Sequence, residues 1–300
     1  MDQEHKAGIL YAAVAYILWG FLPIYWKLLY ETPPGEILAH RILWSFIFML
    51  IIVFAVRKWK PFMQAFKAIL KNKKQFIGIT VASFVISLNW LTFIWAVNHD
   101  HVIQTSLGYY INPLVSILLG MIVLKESLTR RQLFAFALAA VGVVNLTVSY
   151  GVFPWVSLVL AFSFAIYGLL KKTVNISAMF GLTVETMIVS PIALIYLLVT
   201  PDSSLKPAMM FSATGPLLIG AGVATAVPLL MFATGARKIP LSMVGFLQYI
   251  APTIMLILGV FVYKENFSTA HFLSFGLIWV ALIIYMASAH PKLIRRQEQN

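Results

Sequence analysis

The amino-acid sequence predicts an all-α integral membrane protein with ten transmembrane helices, arranged as two inverted five-helix repeats. Three observations carry that prediction. The 300 residues are 61% hydrophobic and only 11% charged, with a mean hydropathy of +0.89, whereas a soluble domain carries about 25% charged residues. The apolar residues gather into ten runs, each close to the roughly 20 residues an α-helix needs to cross a hydrocarbon core. A motif in the fourth run recurs in the ninth.

Taken in order, the first run (7–29) has no basic leader ahead of it and is too long for a cleaved signal segment, so it is expected to remain as a helix. The second (36–56) carries Arg41 in its interior. The stretch 60–72 is amphipathic and too polar to cross, and is expected on the membrane surface as a short helix or loop. Runs at 75–98, 103–124 and 131–149 complete a first half, 1–150. The turn at 149–153 is so short that the fifth and sixth runs also read as one bent element. Runs at 152–170, 180–199, 214–236, 242–262 and 270–289 form the second half, 151–300. Backbone polar groups in lipid must be bonded within the segment, which favours helices, and the short alternating segments of a membrane β-barrel are not seen. Pro23, Pro113, Pro191, Pro228 and Pro252 fall inside runs, and each removes one helical hydrogen bond.

The net charge of +12 is a topology signal. With the N-terminus placed in the cytoplasm, eighteen of the 22 Lys and Arg residues lie on the inside, three lie outside, and Arg41 remains within a span. That asymmetry predicts both termini in the cytoplasm of a bacterial inner membrane. It assigns the basic residues to loops, with some contact to anionic lipid, and not to nucleic acid. There is no cysteine, which excludes a disulfide framework and a thiolate metal site.

Residues 110–126, YINPLVSILLGMIVLKE, align with 249–265, YIAPTIMLILGVFVYKE, at an offset of 139. Tyr110, Ile111, Pro113, Gly120, Lys125 and Glu126 match Tyr249, Ile250, Pro252, Gly259, Lys264 and Glu265. A repeat five spans long must enter the membrane in the opposite sense in its second copy, as in many secondary transporters, whose site lies between the repeats near the midplane.

On these residues the chain resembles the EamA-type drug/metabolite transporter superfamily. Supporting stretches are AYILWGFLPIYWK (15–27), EILAHRILWS (36–45), NWLTFIWAVN (89–98), SLGYYINPLVSILLG (106–120), ETMIVSPIAL (185–194) and FLQYIAPTIM (246–255). The Ala-His-Arg and Gly-Tyr-Tyr-Ile-Asn-Pro runs resemble the RarD proteins within it. The resemblance implies ten helices in two inverted repeats, alternating access and export of small metabolites or drugs, without naming a substrate.

An ionisable side chain inside a span costs about 2.5–3.5 kcal/mol on insertion scales and is a functional candidate by default. Arg41 and Glu185 qualify. Counting rise from the span ends separates them by on the order of 15 Å along the membrane normal, so two clusters are expected and no direct pair. The outer cluster comprises His40, Arg41, Asn89, Gln104, Tyr109 and Asn112, with Ser116 on the face of Tyr109 and Asn112. Trp19, Trp44 and Trp90 are expected to wall it, and Arg41, Trp44 and Ser45 to form a ligand-facing edge. The inner cluster comprises Glu185, Gln248 and Tyr249, with Tyr167 as a further candidate. Glu185 is the candidate for proton coupling, while Pro113 and Pro252 shape gating helices. Purely structural roles stay open: Asn89 and Asn112 can serve as interhelical donors, and Trp26 and Trp59 read as interfacial anchors.

The leading function is therefore a secondary-active carrier of small amphiphilic metabolites, amino-acid-like compounds favoured. Arg41 would meet a carboxylate, and aromatic rings the rest. A passive channel and an intramembrane enzyme are the alternatives. Against an enzyme, the spans hold no HExxH, no cysteine nucleophile and no paired carboxylates. His99, Asp100 and His101 read as a polar external turn and not as a metal site. No nucleotide-binding loop or other cofactor motif is present.

Overall fold

The computed structural model describes residues 3–98, 102–151, 154–200, 204, 211–262 and 269–288, with backbone alone at 94, 97–98, 102–106, 150 and 259. Among these residues all regular structure is helical. The helices are α1 (Gln3–Lys27), α2 (Pro34–Ala55), α3 (Trp59–Lys71), α4 (Lys73–Asn98), α5 (Val102–Val123), α6 (Arg130–Tyr150), α7 (Trp155–Thr173), α8 (Ala178–Val199), α9 (Thr214–Ala236), α10 (Leu241–Gln248), α11 (Ile250–Ile257) and α12 (Thr269–Ser288). A π-helical turn, Leu258–Val262, follows α11.

Nine described segments are long and apolar enough to cross a membrane, one of them the combined Leu241–Val262. Leu107–Val123 within α5 is a shorter apolar helix. Helix α3 buries Phe62 and Ile69 against Val53, Ile79 and Val184, and leaves Lys60, Lys67 and Lys71 exposed.

Local chemistry explains the breaks. Thr129 and Gln132 form a reciprocal capping box at the start of α6, satisfying two orphan amides. Gly151 ends α6 at φ +68°, a left-handed conformation that glycine adopts without strain. The fifth and sixth runs are thus two helices. The ninth run, expected as one helix, is divided at Tyr249 into α10 and α11. Pro252 has no N–H to give to the Gln248 carbonyl four residues earlier, so the helical ladder lapses there.

The most extensive pairings are α5 with α7, α6 with α12, α2 with α9, α1 with α9, α2 with α8, α5 with α10, α4 with α7 and α1 with α11. At the α2–α9 crossing, a side chain on Gly222 would collide with the backbone of Trp44 and Ser45. The Ser45 hydroxyl donates to the Gly222 carbonyl at 3.0 Å. Helices α2 and α8 run antiparallel: Ala39 and Ile42 pack with Val189, Ala193 and Leu197, while Val53 packs near Val184. This sets Arg41 and Glu185 at different levels, on the order of 15 Å apart along the helices.

Candidate functional site

A cavity of about 170 Å³ opens between α1, α2, α4, α5, α7, α10 and α11. Its cation is Arg41, which is partly exposed to it. The guanidinium carbon lies 4.6 Å from the ring centroid of Trp26 and 4.8 Å from that of Trp90. Its Nε donates to Thr225 Oγ1 at 3.0 Å. Among the described residues no carboxylate lies within ion-pair distance of Arg41, and the cavity lining contains no acid. A guanidinium between two indole faces keeps its charge partly compensated by the ring quadrupoles and leaves donors free for a bidentate anion.

The rest of the wall is aromatic and amide. Trp19 lines it while packing on Tyr16, Phe164 and Phe232. Asn89 donates to the Leu160 carbonyl at 2.9 Å and to Ser163 at 2.8 Å, which ties α4 to α7; among the described residues its amide oxygen accepts no hydrogen bond. Gln248 Nε2 donates to Ser116 at 3.0 Å across the α5–α10 contact, and Asn112 stands one turn before Ser116. Tyr109 and Pro252 complete the set. Pro113 and Pro252 leave the carbonyls of Tyr109 and Gln248 without their helical donors. Both residues line the cavity, where irregular backbone is tolerated.

The structure therefore brings Trp19, Arg41, Asn89, Trp90, Tyr109, Asn112 and Gln248 around one space. Gln248, expected at the inner cluster, lies here because the break at Tyr249 sets α10 apart from α11 and aims its last residue at α5. Trp26, read as an interfacial anchor, is instead part of the Arg41 cage. The signal that would have found it is its spacing from Trp19, seven residues away on one helical face. Thr225 and Phe164 carried no signal beyond ordinary apolar helices.

His40 and Trp44 do not line this cavity. Trp44 Nε1 donates to His40 Nδ1 at 3.1 Å, and His40 Nε2 meets Ser204 Oγ at 2.9 Å. The backbone amide of Ser204 donates to Glu36 at 2.6 Å, and its hydroxyl also donates to that carboxylate. An indole can only donate, so Nδ1 is the acceptor and the imidazole proton sits on Nε2. The expected ligand-facing edge of Arg41, Trp44 and Ser45 is thereby corrected. Trp44 is bonded to His40 and Ser45 to Gly222 of α9. Both lie one turn beyond Arg41 on the same broad face, where the close α2–α9 crossing at Gly222 leaves no room for the cavity. Tyr249 is buried in the core, with no hydrogen-bond partner for its hydroxyl among the described residues. Gln104, Lys264, Glu265 and the turn at 99–101 lie outside the described side chains.

Glu185 occupies a separate buried cluster. Lys171 Nζ lies 2.6 Å from its Oε1, and the Tyr167 hydroxyl donates to Oε2 at 3.1 Å. Both charged side chains are nearly inaccessible, at 7% and 5% exposure. The charge asymmetry assigns Lys171, beside Lys172, to a loop; the structure instead buries it within α7. Its place one turn after Tyr167, on the same face, was the available signal. Pro113 sits mid-helix in α5, its carbonyl against Gly245 of α10. Among the described residues no cluster of histidines or acids could hold a metal.

Residues 6–148 and again 154–287 match the EamA-like transporter family. The chain is 50% identical over 286 residues to the transporter YojE of Bacillus subtilis (strain 168), covering 95% of each. It is 42% identical over 288 residues to protein RarD of Escherichia coli (strain K12), covering 96% of each. A protein of known crystal structure, 16% identical, shares the fold with a TM-score of 0.70 over 94% of this chain and 98% of that one.

Proposed function

Because the chain belongs to the EamA-like transporter family, one of multi-pass membrane transporters and not of enzymes, we propose that it is a secondary-active exporter whose substrate site is the Arg41 cavity. The observation that carries this reading is a guanidinium caged by Trp26 and Trp90, facing open space with no acid among the described residues. A small amphiphile with one carboxylate and an apolar body fits it, amino-acid-like compounds included. The carboxylate would take the free guanidinium donors, and Trp19, Trp90 and Phe164 would cover the body.

In this reading ten spans form two inverted halves, 1–150 and 151–300, in the bacterial inner membrane with both termini cytoplasmic. The helix pairings support it: exchanging α1, α2, α4, α5 and α6 with α7, α8, α9, α10–α11 and α12 turns α1–α9 into α7–α4 and α5–α7 into α11–α1, and leaves α2–α8, α5–α10 and α6–α12 unchanged. Tyr109 and Gln248 are equivalent at the offset of 139, as are Asn112 and Ala251, and all four line the cavity. A site shared by both halves suits alternating access. The buried Glu185 cluster on the far side of Trp90 suits a closed barrier more than a continuous channel. Glu185 is the proposed proton-coupling carboxylate.

The test is ligand-induced thermal stabilisation of the purified protein against small carboxylates, followed by counterflow in proteoliposomes with and without a pH gradient. Stabilisation abolished in Arg41→Ala, with saturable counterflow, supports the carrier. Ohmic currents without saturation sink it. Flux indifferent to the pH gradient removes the coupling role of Glu185.

A further inference from the structure

Two voids of about 20 Å³ each meet at Glu185. The first is lined by Ser83, Ser87, Trp90 and Thr186 together with Glu185, and Trp90 also walls the large cavity. The second is lined by Lys171, Ser177 and Arg237 together with Glu185, and lies at the end of the bundle where α7 and α9 finish and α8 begins. Each void has room for about one water molecule and nothing larger. The series therefore runs from the large cavity past Trp90 to the first void, then past Glu185 and Lys171 to the second void and the basic end of the protein. The hydroxyls of Ser83, Ser87 and Thr186 each donate to a carbonyl of their own helix, at 2.8, 2.8 and 2.9 Å. Their lone pairs are left to face the void.

We infer that the Lys171–Glu185 pair is the gate that closes the translocation path at this end, with Lys171 as the specificity-bearing cation behind it. The inference rests on the reading of the Arg41 cavity as the substrate site. A pair that serves only to lock helices would saturate its donors. Lys171 has three N–H groups, and among the described residues it makes one ion pair, at 2.6 Å, plus a ring contact at 5.3 Å with Tyr167. The remaining donors face a water-sized void. Glu185 is thus a resident carboxylate on a cation that lines the same succession of spaces as Arg41. A substrate carboxylate moving through the path could replace it there, so the same ligand chemistry is met at both stations. Opening requires Glu185 to leave Lys171 and Trp90 to turn.

The chain has no cysteine, so single thiols report the gate directly. Ser87→Cys places one between Trp90 and Glu185, and Ser177→Cys places one at the mouth. Modification by a membrane-impermeant methanethiosulfonate is followed from each side in right-side-out and inverted vesicles. From the basic end, Cys at 177 should react readily and Cys at 87 slowly. Adding Glu185→Gln or Lys171→Met should accelerate reaction at 87 from that end by about tenfold, as expected for a shift of roughly 1.4 kcal/mol in the closed–open equilibrium. The exchanged pair Lys171→Glu with Glu185→Lys should return it toward the slow rate, which a merely misfolded protein would not do. Rapid reaction at 87 in the unaltered background overturns the gate, as does an unchanged rate in both single variants. These rates need no substrate, so a failure of the carboxylate reading leaves them interpretable, and a failed gate leaves the Arg41 binding test untouched.

Discussion

The carboxylate of Glu126, just beyond α5, receives the backbone N–H of Leu241 at 2.7 Å, and its second oxygen receives that of Ser242 at 2.9 Å. A residue of the chain's first half thus neutralises the positive start of α10 in the second half. Lys172 adds an ammonium 3.9 Å from the same carboxylate and donates to the Ile239 carbonyl at 2.6 Å. The terminal Lys-Glu motif of the repeat therefore has a physical task at this copy. Glu126→Ala should lower thermal stability in detergent by about 1–2 kcal/mol, the worth of a charged N-terminal cap, with Glu126→Gln retaining part of it. A melting temperature unchanged in both would refute the cap.

Arg41 is held by two flat contacts and one hydrogen bond. A lysine cannot stack in the same way or present paired donors. In the unaltered protein a small aromatic carboxylate should bind about tenfold to a hundredfold more tightly than its neutral amide, since a charge-assisted hydrogen bond contributes roughly 1.5–3 kcal/mol. In Arg41→Ala the two should bind alike, and in Arg41→Lys the preference should shrink. Calorimetric titration of the pair decides it. Equal affinities in the unaltered protein would remove Arg41 as the anion site.

Trp44 and His40 are predicted to matter for stability and not for ligand affinity. Trp44→Phe deletes the indole donor and leaves buried His40 Nδ1 unpaired, a loss of about 1–3 kcal/mol. Thermal unfolding should register that loss, while the dissociation constant of a bound carboxylate stays within twofold. A large change in affinity without a change in stability would return both residues to the pathway.

Gly222 packs directly on the α2 backbone, and the nearest atoms to an added side chain include the amide nitrogen of Ser45 at 2.7 Å. Backbone cannot step aside as a flexible side chain can. Gly222→Ala should therefore cost about 1–3 kcal/mol as overpacking and weaken the Ser45–Gly222 hydrogen bond. Because Arg41 and Thr225 sit one turn from this crossing, the same change should also weaken carboxylate binding. Preserved stability would show that the crossing can spread.

Arg41 and Glu185 stood out in the sequence because an ionisable group in an apolar run has a cost that only a role or a partner repays. The alternation of apolar runs with short basic loops is equally plain, and the amphipathic stretch 60–72 marks α3 as too polar to cross. The sequence reads Trp26 as an interfacial anchor and Lys171 as a loop cation, and the structure gives both other places. Each lies near the end of its helix, where tryptophans and lysines are ordinary, and nothing in the linear order tells an end that faces lipid or water from one that is folded over a cavity. His40 failed in the opposite direction: beside Arg41 in sequence, it is about 100° away around the helix.

Hydropathy and its period belong to each stretch of chain separately, so the sequence by itself determined that long apolar helices form and which of them carry charge, though not the division of the ninth run at Tyr249. How far each helix turns about its own axis was decided by packing against its neighbours. That rotation places Arg41 between two indoles, sends His40 to Ser204 and closes Lys171 on Glu185. It depends on contacts such as Gly222 on Trp44, between residues far apart along the chain, and no local pattern encodes them.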